Sequence, residues 1–139
     1  ILLVKDDAAH AEIVRRNLED FRIANRIVHV SDGQAALDYL FRQGRFADPE
    51  LAPRPGIVLL DLRLPKVDGL DVLKAVKADP ELGSIPVVIL TTSSAESDKA
   101  RAYACQANSY LVKPVELRQF TELMGAFGYY WLAWNQYPF

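Results

Sequence analysis

A single cysteine, Cys105, stands in these 139 residues, so an internal disulfide is excluded and the thiol is expected to be a small buried apolar side chain. Neither sign of charge dominates: 16 Lys and Arg balance 18 Asp and Glu, for a formal net charge of −2. That balance gives no basic face for nucleic acid or for a membrane surface. Long apolar runs are also missing. Each ends far short of the roughly 20 residues that span a bilayer, and the chain does not begin like a signal peptide, so a cytoplasmic location is expected. The chain opens on an apolar run without a starting Met, and a few preceding residues are expected. Only two histidines occur, His10 and His29. His10 is expected at the surface of a helix and His29 as a packing residue of a strand; neither has the neighbours of a metal or nucleophile site. The segment after the first apolar run has no Gly- or Ser/Thr-rich cradle, which argues against a flavodoxin-like cofactor site.

Half the residues are apolar, enough for a core in one domain of this length. Short Val, Ile and Leu runs mark candidate strands at 1–4, 26–30, 56–60, 86–91 and 109–112. They are almost continuously apolar, as strands covered on both faces are. Helical periods lie between them. Ile13, Val14, Leu18 and Phe21 recur within Ala8 to Asp20 and just beyond; Ala36, Leu37, Leu40 and Phe41 recur within Gln34 to Phe41. Leu70, Leu73 and Val76 form one stripe within Asp68 to Ala78. An alanine-rich helix is expected over Ala95 to Ala104, and a fifth from Leu117 with Phe120, Leu123, Met124 and Phe127. The alternation predicts an α/β fold, a doubly wound parallel sheet with right-handed crossovers. Pro49, Pro53 and Pro55 make residues 45–55 a long loop.

The strand ends carry the chemistry. Ile57-Val58-Leu59-Leu60 runs into Asp61; Ile1-Leu2-Leu3-Val4 into Lys5-Asp6-Asp7; Val87-Val88-Ile89-Leu90 into Thr91; Tyr110-Leu111-Val112 into Lys113-Pro114. In an open parallel sheet these carboxyl ends share one edge, where ligands bind. Two carboxylates there repel unless a cation intervenes, and Mg²⁺ takes one or two carboxylates with waters and phosphate oxygens. Lys113 offers a point charge and Thr91 a hydroxyl to a phosphoryl group. A carboxylate can itself be the nucleophile and form an acyl phosphate, with positioning and charge neutralisation doing most of the catalysis. Singly, each of these residues reads as an ordinary cap or turn former; the ordered set is what points to chemistry.

The strings LLVKDD, LLDLRLPKVDG, VVILTTS and YLVKP resemble the receiver domain of two-component response regulators, over the chain to about residue 125. The resemblance implies a flavodoxin-like (βα)5 fold with strand order 2-1-3-4-5 and a receiver over 1–127, with 128–139 as an aromatic extension. It implies Asp61 as phosphoacceptor and a Mg²⁺ site from Asp6, Asp61 and the backbone carbonyl of Arg63. Lys113 and Thr91 match the phosphate-binding residues, and Thr91 and Tyr110 the switch pair. Lys113-Pro114 matches a peptide bond that is usually cis, and Asp68-Gly69 the turn that closes the site. Arg63 and Thr92 match positions that influence the lifetime of the phosphoryl group. A haloacid dehalogenase-type hydrolase fits poorly, because its second acid, two positions after the nucleophile, is here Arg63. The resemblance makes the chain a phosphoacceptor rather than an enzyme acting on other molecules; at most it catalyses its own phosphorylation and dephosphorylation.

One position departs from the pattern. Lys5 stands where the family carries a second acid, so it is expected to lower the negative charge of the pocket, weaken Mg²⁺ binding and stabilise ionised Asp61 or an anion beside it. The competing expectation is a Lys5 turned to solvent. Asp7, on the opposite side of a strand from Asp6, need not take the acid's place. A degenerate receiver that binds partners without phosphorylation is the alternative function. The long loop, IPVVILTTS and the Trp-bearing end further resemble single-domain receivers paired with phytochrome-type histidine kinases. Kinase recognition is then expected around Ile13, Arg16 and the loop after the fifth strand. A homodimer is expected through the fourth helix, fifth strand, fifth helix and the tail, whose Tyr129, Tyr130, Trp131, Trp134, Tyr137 and Phe139 would otherwise expose much apolar surface.

Overall fold

In a computed structural model of the chain, the residues described are 1–20, 27–91, 96–107 and 109–112. In chain order they form β1 (Leu2–Val4), α1 (Ala8–Asp20), β2 (Val28–Val30), α2 (Gly33–Phe41), β3 (Val58–Leu60), α3 (Gly69–Ala78), β4 (Val87–Thr91), α4 (Glu96–Ala104) and β5 (Ser109–Val112). All five strands are parallel in the order β2-β1-β3-β4-β5. The helix expected from Leu117 lies outside the described residues.

Alternation along the strands builds two cores. Leu2 and Val4 on β1, Val58 and Leu60 on β3, and Val87 and Ile89 on β4 pack with Ala36 and Leu40 of α2, Leu70, Leu73 and Val76 of α3, and Ala102 of α4. Leu3, Leu59, Val88 and Leu90 point the other way and meet Ala11 and Val14 of α1. A period of two on strands covered on both sides explains why β1, β3 and β4 are buried along their whole length.

Helix α2 ends at Phe41 because Arg42 turns left-handed, with φ 55°, and its N–H caps the carbonyls of Asp38 and Tyr39. A 3-10 turn, Gly44–Phe46, opens the expected loop. The loop is tied back to α2: Tyr39 donates its hydroxyl to the Pro53 carbonyl at 2.8 Å, and Arg54 donates to the Leu40 carbonyl at 2.6 Å. Cys105, expected to be buried, is half-buried against the larger core. Among the described residues no helix is long and apolar enough to cross a membrane.

Candidate functional site

The β1–β3 ladder runs one step past the strands. Val4 pairs with Leu60, and the Asp61 N–H still donates to the Val4 carbonyl at 3.1 Å. Lys5 therefore stands level with Asp61 on the neighbouring strand. Lys5 follows the alternation of Leu3, and Asp61 that of Leu59, so both turn toward the α1 side of the sheet. In-register neighbours on adjacent strands lie about 4.8 Å apart. The outcome is an ion pair, with Lys5 Nζ donating to Asp61 Oδ2 at 3.2 Å. Lys5 is 1% exposed, and Asp61 keeps a narrow opening to solvent at 9%. The expectation of a Lys5 in solvent is thus overturned by register.

The backbone of Lys5 is held as well. Its N–H donates to the Val30 carbonyl at 3.1 Å, and His29 Nε2 bonds its carbonyl at 2.8 Å. His29 is therefore an exposed side chain that pins the β1 terminus, not the packing residue expected. His10 lies on α1, and its side chain is outside the described set.

Asp6 is exposed at the end of β1. Asp7 serves the backbone instead. Its Oδ1 accepts the Ala9 N–H at 2.9 Å and caps the start of α1. Beyond Asp61 the chain turns sharply. The Gly69 N–H donates to the Leu62 carbonyl at 2.9 Å, and a Cβ on Gly69 would overlap the Asp61 carbonyl oxygen. Only glycine lets α3 start this close to Asp61.

Thr91, 1% exposed, ends β4. It follows the alternation of Val87 and Ile89, on the side of α2, α3 and α4. Tyr110, also buried in that core, pairs in register with Ile89, so Thr91 and Tyr110 share one face of adjacent strands, two steps apart. Arg63 points outward and donates to Asp98 Oδ2 of α4 at 3.1 Å. Asp98, almost wholly buried, was not legible as a functional residue, since nothing in its local sequence marks the partner 35 positions away. Thr92, Lys113 and Pro114 lie outside the described residues, and with them the expected lysine–phosphate contact and cis bond. Among the described residues no peptide bond is cis.

The donor set can be tested against a divalent ion. Asp6 and Asp61 supply hard carboxylate oxygens at neighbouring strand ends, which suits Mg²⁺. No group of three or more His, Cys, Asp or Glu side chains able to hold a metal occurs among the described residues. The oxygens fit; the Lys5 ammonium beside Asp61 opposes a second cation.

The strand order, the acid at the tip of β3 and the hydroxyl at the tip of β4 define a receiver, and sequence comparison agrees. The response regulator receiver domain profile matches residues 1–124, and the chain belongs to that family. It is 45% identical over 138 residues to the probable methanogenesis regulatory protein FilR2 of Methanothrix harundinacea, covering 99% of this chain and 86% of that protein. It is 39% identical to response regulator Rcp1 of Synechocystis sp. PCC 6803, covering 95% of this chain and 88% of Rcp1. The manganese-bound structure of Rcp1 superposes with a TM-score of 0.93 at 38% identity, over 99% of this chain and 97% of that one. The phosphorylated cyanobacterial phytochrome response regulator RcpA superposes with a TM-score of 0.93 at 36% identity, over 99% and 96%.

Proposed function

We propose that this receiver accepts a phosphoryl group on Asp61 from a phosphohistidine of a partner kinase. The observation that carries the reading is the place of Asp61: a carboxylate at the tip of a central strand, largely buried yet open to solvent, with a cation 3.2 Å away. The Asp61 oxygen attacks phosphorus, and the bond to the donor nitrogen breaks. Asp6, Asp61 and the Arg63 carbonyl are the residues that would hold Mg²⁺, which when bound neutralises charge on the phosphoryl oxygens. Thr91 and Lys113 receive those oxygens, and Thr91 with Tyr110 passes the change to a surface of α4, β5 and the segment after it.

In this reading the receiver occupies residues 1–127, works in the cytoplasm, binds no nucleic acid and acts as a switch rather than as an enzyme on other substrates. The partner is a phytochrome-type histidine kinase, a reading supported by the likeness to RcpA. The relative at 45% identity is named for methanogenesis, so phosphotransfer from a panel of kinases is the deciding assay. Residues 128–139 extend the receiver and contribute to a homodimer with the α4–β5 face.

Incubation with acetyl phosphate and Mg²⁺, read by intact mass, is expected to add one phosphoryl group, and Asp61→Asn to abolish it. A chain that stays unmodified under these conditions would support the competing reading, in which Lys5 marks a degenerate receiver that binds partners without phosphorylation.

A further inference from the structure

We propose that Lys5 is the built-in counter-cation of the phosphoryl-transfer site, so that Asp61 is phosphorylated without a divalent ion. This rests on the reading of Asp61 as phosphoacceptor. Lys5 is not a surface lysine that happens to reach an acid. It is 1% exposed and among the largest fully buried side chains, its backbone is bonded on the β2 side, and its ammonium lies 3.2 Å from the carboxylate that reacts.

The geometry has two consequences. A divalent ion that binds Asp61 must share that carboxylate with an ammonium already there, and like charges at this range oppose each other strongly in a site shielded from water. The incoming phosphoryl group, in contrast, carries negative charge on three oxygens and meets a positive charge in place. As the Asp61 oxygen bonds to phosphorus, the P–N bond to the donor histidine breaks. Its electron pair stays on the imidazole nitrogen, which takes up a proton from solvent. The carboxylate's negative charge leaves with that electron pair and is quenched by the proton, while the phosphoryl oxygens, charged before and after transfer, take the carboxylate's place beside the same ammonium. The site stays neutralised throughout by a group that cannot diffuse away.

Three measurements test this. In wild-type protein treated with EDTA, acetyl phosphate is expected to modify Asp61 at a rate within about tenfold of that in Mg²⁺, the smaller end of what one neighbouring charge does. Titration calorimetry with Mg²⁺ alone is expected to show affinity at least about tenfold weaker in wild type than in Lys5→Glu. Lys5→Met keeps much of the stem without the charge and is expected to lose modification in EDTA while regaining it in Mg²⁺. The inference is overturned if wild type is modified in Mg²⁺ but not in EDTA, or if wild type and Lys5→Glu bind Mg²⁺ equally. The EDTA measurement needs no variant and so stands even if substitutions at residue 5 unfold the chain. Absence of modification in both EDTA and Mg²⁺ would instead remove the phosphoacceptor reading on which the inference rests.

Discussion

Lys77 shows how a lysine elsewhere in this fold serves structure rather than chemistry. From α3 its Nζ donates to the carbonyls of Gly83 at 3.2 Å and Ile85 at 2.8 Å, fastening the helix to the turn that leads into β4. Burial holds its pKa below the ordinary 10.5, because desolvation penalises the charged form. The folded chain then binds fewer protons than the unfolded chain between the lowered value and 10.5, so stability rises with pH across that window. Below the window the penalty is fully present. Urea denaturation at about pH 7 and about pH 10 should show wild type gaining stability relative to Lys77→Met as pH rises. An unchanged difference would mean that burial leaves the ammonium unaffected. Lys5 and Lys77 were alike as letters; their surroundings separate them, one against a carboxylate and the other against carbonyls.

At the scale of elements, the Arg63–Asp98 pair joins the connection after β3 to the first turn of α4. The guanidinium is 65% exposed and the carboxylate 8%, so the pair is partly screened. A double-mutant cycle with Arg63→Ala and Asp98→Asn is expected to give a coupling of about 0.5–1 kcal/mol. Zero coupling would leave the two elements mechanically independent. The tether gives the Arg63 side chain a partner on α4, while its position two residues past Asp61 could be read from sequence. Asp7 was legible in principle, since an Asp just before a helical period is an N-cap signal. Asp98 was not, because a buried acid within a helix gives no local sign of what faces it.

For the whole molecule, the two cores and the five-stranded order put the described candidate groups Lys5, Asp6, Asp61 and Thr91 on one edge of the sheet. The proposed homodimer is tested on the whole chain. Light scattering on chains with and without residues 128–139 is expected to show the shortened chain at about half the mass, as loss of a large apolar contact requires. An unchanged mass would take the tail out of the interface. The exposed Tyr103 on α4 lies on the surface to which that dimer is assigned, and Tyr103→Glu should weaken it in the same measurement.

Much was determined by local sequence: five apolar runs, the acids and hydroxyl that end them, the helical periods between, and the glycine after Asp68. These features depend on propensity and periodicity over a few residues, so they survive without knowledge of neighbours. The direction of Lys5 was different. Whether it faces solvent or Asp61 depends on the register between strands 56 residues apart, and a parallel ladder takes its register from packing across both cores, not from either strand alone. Only the tertiary structure could turn an unexpected lysine into the partner of the Asp61 carboxylate.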